Sequence, residues 1–194
     1  MTKITSLCVF CGSRAGTDPD HATQGEALGR LLAARGIRLV YGGGGIGLMA
    51  VVANATIAAG GEVTGVIPEF LRAYEVGVVD GAEEIVVESM HARKAQMFAM
   101  SDAFVVLPGG LGTLDESIEI TTWKQLQQHN KPIIFVNTNG YWDPYFALID
   151  QVVDGGFGHH KVKELFQVVD NVEQVFAAIA AAPDADEEVL TSHL

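Results

Sequence analysis

The chain has 194 residues, 48% hydrophobic and 19% charged, which suits one domain with a sizeable core, and a second is not expected. Its formal net charge of -12 argues against a nucleic-acid backbone or an anionic membrane as partner, since both need a basic face. A phosphorylated small molecule would have to be held by local N–H groups and a few cations, against the overall charge.

Met1-Thr2-Lys3-Ile4 leads almost directly into a strand-like run without the basic and long apolar stretches of a secretory signal, so a cytoplasmic chain is expected. No uninterrupted apolar segment is long enough to span a bilayer. Residues 4–10 read as a strand, and Cys11-Gly12-Ser13 as a small-residue turn at its end. Cys8 and Cys11 have C-x-x-C spacing, but residues three apart on a strand point to opposite faces and there is no second cysteine pair. Thiols are expected here, not metal ligands. Asp18-Pro19 predicts an N-cap followed by proline at the first helical position, with the helix running to about Arg35 and stopping at Gly36.

Residues 37–41 form the second strand and run into Gly42-Gly43-Gly44-Gly45-Ile46-Gly47, after which an alanine-rich helix continues to about Ala59. A third strand spans 63–67, and residues 68–82 read as an irregular connection containing Glu75. A short strand at 84–87 precedes Ser89, which can cap a helix bearing Arg93 and Lys94. Both cations lie three or four residues from Met90 and Met97, on one helical face. The strand at 103–107 then enters Pro108-Gly109-Gly110-Leu111-Gly112-Thr113-Leu114-Asp115-Glu116, followed by a helix to about Gln128. Residues 133–136 form another strand, 142–153 a helix and 168–169 a last short strand, and Asn171 can cap a final helix over 172–181.

Strands alternating with helices predict a single-domain, Rossmann-like, doubly wound parallel sheet with helices on both faces, over residues 1–182. Residues 183–194, with Asp184, Asp186, Glu187 and Glu188, are expected to form a solvated, flexible acidic tail. Ligands of such sheets bind beyond the C-terminal strand ends, where the turns at Gly12, Gly42 and Gly109 all belong.

In the last of these turns, Thr113 can cap the helix and the free N–H groups of its first turn favour an anion, so a phosphate fits there. Glu116 would lie about one turn inside the helix, within reach of a group attached to that phosphate. Breaking a C–N bond to a purine develops positive charge on the ribose and negative charge on the departing base. A carboxylate near the sugar can stabilise that cation or activate water. Glu116 is the candidate. Arginine is a permanent cation, so Arg93 suits an electrostatic and hydrogen-bonding role better than proton donation. No metal is needed, and no convincing His/Asp ligand set is present.

Competing readings have their own residues. Gly42, Gly44 and Gly47 with Glu69 downstream match the dinucleotide fingerprint of a nicotinamide or flavin oxidoreductase, although after the second strand, not the first. No G-K-[ST] follows either glycine run, so a nucleoside-triphosphatase loop is not supported. His159-His160 are expected to face solvent, His91 to lie at a surface or interface, and Trp123, Leu126, Ile118 and Ile120 to serve core or subunit contact.

Cys11-Gly12-Ser13, Tyr41-Gly42-Gly43-Gly44 with Gly47-Leu48-Met49, Met90-His91-Ala92-Arg93-Lys94, and the run from Pro108 to Glu116 occur in this order. With Thr122-Trp123 and Lys131-Pro132, they resemble the "Lonely guy" (LOG) family of cytokinin riboside 5'-monophosphate phosphoribohydrolases, often labelled lysine decarboxylases. The resemblance spans residues 4–180. It implies hydrolysis of the N-glycosidic bond of N6-modified AMP or AMP, giving free base and ribose 5-phosphate with no cofactor. It implies Arg93 and Glu116 as the catalytic pair. Implied nucleotide contacts are Glu75, Arg93, Lys94, Gly110, Leu111, Gly112, Thr113, Leu114, Asp115, Glu116 and Thr122; Ser13, Gly43 and Gly44, in the other turns at this edge, are further candidates for phosphate or nucleotide contact. Asp115 stands where a second glutamate is common, which shortens its reach.

The resemblance also implies a homodimer. A pyridoxal-phosphate decarboxylase would need a Schiff-base lysine, and Lys94, the only lysine near the motifs, sits in a paired-cation motif better suited to a nucleotide. A non-catalytic carrier of a phosphorylated cofactor, similar to molybdenum cofactor carriers, would keep the phosphate turn without needing Glu116.

Overall fold

Short apolar runs bounded by glycine or proline become the strands of one parallel sheet in the computed structural model, which describes residues 4–72 and 79–182. Glu75 and the acidic stretch 183–194 lie outside the described residues. The strands are β1 (Ser6–Phe10), β2 (Arg38–Tyr41), β3 (Val63–Pro68), β4 (Glu83–Val87), β5 (Ala103–Val106), β6 (Ile133–Val136) and β7 (Gln167–Val169). The helices are α1 (Pro19–Ala34), α2 (Gly47–Ala58), α3 (Glu69–Arg72), α4 (Met90–Ala99), α5 (Leu111–Gln125), α6 (Asp143–Asp154) and α7 (Val175–Ala181). Among the described residues none is long and apolar enough to cross a membrane.

Strand order is β4-β3-β2-β1-β5-β6-β7, and every pair is parallel. The chain winds outward from β1 to β4, then continues on the other side of β1 with β5. This makes the doubly wound sheet predicted from the alternating pattern, with its switch point between β1 and β5. Leu7 is the hinge of the register, paired with Leu39 on one side and Ala103 on the other.

Alternation along β1 splits the core in two. Leu7, Val9 and Cys11 join Leu28, Leu32, Val52 and Ile179 from α1, α2 and α7, while Cys8 and Phe10 join Met97, Ile120 and Tyr145 from α4, α5 and α6. The two thiols therefore sit in opposite cores, both buried and unbridged, as their strand spacing predicts.

Several caps follow the sequence. Asp18 accepts from the Asp20 N–H at 2.9 Å with Pro19 as the first residue of α1, and Gly36 closes the helix at φ +63°. The Ser89 hydroxyl accepts from the Ala92 N–H at 3.1 Å at the start of α4. The expected cap at Asn171 does not form: a 3-10 turn, Val172–Gln174, precedes α7, and Asn171 makes no side-chain cap bond. Gln24 of α1 supplies the acceptor instead, taking the Val172 N–H at 2.8 Å, a partner that only the packing of α1 against this turn provides. The connection after β3 also differs, because it opens with the single turn α3, where Arg72 pairs with Glu84 at 3.0 Å.

Candidate active site

At the switch point the turns after β1 and β5 meet, with the Gly12 N–H donating to Pro108 O at 3.0 Å. The helix α5 begins earlier than its sequence implies. Gly110 is its extended N-cap and Leu114 N–H already bonds Gly110 O at 3.0 Å, so Thr113 is the third helical residue and not the cap. Glycines on both sides of Leu111 disguise this first turn, because glycine disfavours helix. No side chain caps α5. Its first-turn N–H groups are thus the natural partners of an anion.

The glycines of the turn have different tasks. A Cβ on Gly109 would collide with the Thr113 hydroxyl, so that position is needed for packing, whereas Gly110 and Gly112 face open space. The open pair borders a cavity of about 200 Å³ that Leu111, Thr113, Ser13, Gly42, Arg93 and Glu116 also line.

Arg93 leaves α4 towards the sheet and is only 7% exposed. Its Nε donates to Val66 O at 3.2 Å and its Nη2 to Gly42 O at 3.1 Å, while Nη1 lies 3.9 Å from Met90 Sδ. A carbonyl within β3 and one just past the end of β2 thereby hold the guanidinium in place. Gly42 is required because a Cβ there would overlap the guanidinium. Glu116, the sixth residue of α5 and also 7% exposed, brings Oε1 to 3.8 Å from Arg93 Nη2. That is an ion pair too long for a hydrogen bond, so both groups keep bonding capacity for a third molecule. Two side chains remote in sequence thus converge, as the sequence chemistry expects.

Burial pushes the Glu116 carboxyl up from 4.5 to about 7; Arg93 and Lys94 oppose the rise, and Asp115 and Glu119 add to it. Such a carboxyl is poised to exchange a proton near neutrality. Cys11, which also lines the cavity, has its thiol pushed well up by burial and by Glu116, so it stays a thiol rather than a nucleophilic thiolate.

Lys94 departs from its neighbour. It turns to α5, with Nζ 3.1 Å from both Asp115 and Glu119. Burial works against its charge, but the Glu119 and Asp115 hydrogen bonds and charges outweigh it and raise the lysine pKa. A Schiff-base lysine needs the opposite shift. Glu119 escaped the sequence reading, although its i+4 spacing from Asp115 marks one acidic stripe on α5.

The remaining sequence candidates are spread out. Leu114 packs into the α4-α5-α6 core, and Asp115 is exposed apart from its contact with Lys94. Thr122 is exposed, donates its hydroxyl to Ile118 O at 2.8 Å, and stands about 9 Å along α5 from Glu116, so this chain's own cavity does not include it. Gly43 and Gly44 are buried behind Gly42, with Gly43 against Ile67. In the segment that matches the dinucleotide fingerprint, Gly47 packs against the Ser13–Arg14 backbone and Glu69 is paired with Arg72 at 3.5 Å. His91 is exposed, and His159 caps a 3-10 turn by accepting from the Lys161 N–H. Trp123 packs edge-on against Phe98 at 5.2 Å, and Ile120 is in the core, while Ile118 and Leu126 face outward. Among the described residues no group of three or more His, Cys, Asp or Glu side chains could hold a metal.

Fold and site together define a doubly wound α/β protein with an uncapped helix terminus and a buried carboxylate–guanidinium pair at its switch point. Comparison with known proteins narrows this. A family model described as "Possible lysine decarboxylase" matches residues 49–179. A probable cytokinin riboside 5'-monophosphate phosphoribohydrolase of Oryza sativa subsp. japonica, LOGL1, is 46% identical over 155 residues, covering 80% of this chain and 70% of the relative. The cytokinin riboside 5'-monophosphate phosphoribohydrolase LOG7 of Arabidopsis thaliana is 39% identical over 194 residues, covering 100% of this chain and 88% of its own. This chain belongs to the LOG family. Among solved structures, the molybdenum cofactor carrier protein of Chlamydomonas reinhardtii matches with a TM-score of 0.69 at 23% identity, covering 93% of this chain and 98% of that one, which shows a shared fold.

Proposed function

We propose that this chain is a phosphoribohydrolase that cleaves the N-glycosidic bond of a nucleoside 5'-monophosphate, AMP or an N6-modified AMP such as a cytokinin riboside 5'-monophosphate, in the cytoplasm. The products are the free base and ribose 5-phosphate. The observation that carries this reading is the buried Arg93–Glu116 pair, 3.8 Å apart, beside the uncapped start of α5. In this scheme the 5'-phosphate takes the first-turn N–H groups of α5 and places the ribose against Glu116. As the C–N bond breaks, its electron pair leaves with the base and positive charge grows on the sugar. The Glu116 carboxylate stabilises that charge and takes a proton from the attacking water. Arg93, fixed by two backbone carbonyls, supplies a positioned cation for the developing negative charge. A cavity of about 200 Å³ suits the ribose phosphate, with the base extending beyond it.

A homodimer is part of the proposal. Leu111 and Ile118 share one outward stripe of α5 with Thr122, continued by Leu126 just past its end; the three apolar residues are 85%, 46% and 52% exposed, the kind of surface a second copy covers. Thr122 would then serve the partner's site or the interface.

The test is incubation with AMP and N6-isopentenyladenosine 5'-monophosphate, followed by chromatography for free base, with the two nucleosides as controls. Free base from the nucleotides and little from the nucleosides is expected, since phosphate binding is used for the chemistry. Tight nucleotide binding without base release would favour the carrier reading, which has no use for a carboxylate at the sugar.

A further inference from the structure

The glycine turn is held from behind by a residue that neither the motifs nor the carboxylate–guanidinium pair includes. Tyr141, between the 3-10 turn Thr138–Gly140 and α6, donates its hydroxyl to Gly109 O at 2.7 Å. Its ring is fixed by edge contacts, with His21 at 5.2 Å and Trp142 at 4.9 Å between centroids. The 3-10 turn is itself anchored: Asn139, at φ +53°, donates through Nδ2 to Asp18 and Asp20 at 2.9 Å each. Tyr141 therefore reaches the turn from a rigid base.

A trans peptide is planar, with its C=O and N–H pointing in opposite directions. Drawing Gly109 O towards Tyr141 turns the Gly110 N–H away from it. Gly109, Gly110 and Tyr141 line a cleft of about 490 Å³ beside His21 that adjoins the Arg93–Glu116 cavity through Gly12, Ser13, Gly110 and Leu111, whereas neither Gly109 nor Tyr141 lines the Arg93–Glu116 cavity. Tyr141 and the Arg93–Glu116 pair thus border Gly110 from different cavities. Between two glycines the peptide plane has little intrinsic preference, and the opposite orientation would present a carbonyl to an anion.

We infer that Tyr141 is a positioning residue, whose hydroxyl locks the Gly109–Gly110 peptide so that the Gly110 N–H donates to the phosphoryl group bound at α5. The inference rests on the phosphate placement proposed above, but its test does not require turnover. Tyr141→Phe removes the hydroxyl and leaves the ring packing in place. Affinity for ribose 5-phosphate, measured by calorimetry, should fall about five- to tenfold, the factor expected for one lost hydrogen bond, and adenosine affinity should stay within about twofold. For AMP hydrolysis, KM should rise by the same factor as the ribose 5-phosphate Kd. Equal weakening of both ligands would mean a general structural effect and overturn the inference, as would unchanged ribose 5-phosphate binding. In the wild-type protein, inorganic phosphate should shift the Gly110 amide resonance; a silent Gly110 overturns it even if the Phe variant does not fold. A wild-type protein that binds ribose 5-phosphate but releases no base from any nucleotide would end the hydrolase reading, and the two affinities would still decide the role of Tyr141.

Discussion

Replacing Glu116 with Gln should abolish hydrolysis and, at alkaline pH, make the protein more stable. In the fold the Glu116 pKa is raised from 4.5 to about 7, so ionising it there costs about 3 kcal/mol more than in the unfolded chain. Because the folded value is the higher one, the associated stability is fully present below pH 4.5. It is lost as pH rises through about 7, and above that the whole penalty applies. Glutamine keeps the shape of the protonated acid and cannot ionise, so the variant escapes the penalty. Arg93 retains the Val66 and Gly42 carbonyls as partners in the variant. For a domain of this size the gain corresponds to a melting temperature higher by roughly 6–12 °C at pH 8.5, shrinking towards zero at pH 4.5. The assay is thermal unfolding of both proteins across that range, with base release and AMP binding measured in parallel. A Gln variant that melts below the wild type at pH 8.5, or a difference that does not grow with pH, would refute the claim that burial is what raises this carboxyl. Retained hydrolysis would refute its role as the base.

Other expectations follow from the same geometry. With Glu116 acting as a base, kcat/KM should climb as pH rises through about 7, and a flat profile between pH 5.5 and 8 would remove it from that role. Lys94→Gln deletes a positive charge that lowers the Glu116 pKa, so the acidic limb of the profile should move to higher pH; a limb that stays in place shows the two groups to be uncoupled. Arg93→Lys cannot hold Val66 O, Gly42 O and the carboxylate together, and kcat should fall about 10²–10³-fold, the usual loss for a positioned charge. Gly42→Ala forces the guanidinium aside, costing about 1–3 kcal/mol of stability by overpacking; normal activity in this variant would show that the seat of Arg93 is not needed.

Strand order along the chain, the Asp18-Pro19 and Ser89 helix starts and the Gly36 stop were all legible, because period, capping and turn chemistry act over a few residues. The Pro108–Glu116 run was legible as a glycine turn leading into a helix that carries a carboxylate, but the helix start was placed three residues late because glycines conceal it. The Asn171 side chain makes no cap bond, and the neighbouring Val172 N–H goes to Gln24 of α1, a partner remote in sequence. Arg93 and Lys94 look equivalent in sequence. The tertiary structure separates them, sending one to carbonyls at the crevice and the other to the acids of α5.

The amino-acid sequence by itself determined the parallel α/β class, the sheet edge at which the glycine turns gather and the residue types available there, since these follow from local periodicity and from glycines at strand ends. It also carried the family. Only the tertiary structure decided that Arg93 and Glu116 face each other, that Glu116 titrates near 7, and that Tyr141 reaches Gly109. Those properties depend on desolvation and on contacts between segments distant along the chain, and no short window of sequence contains either.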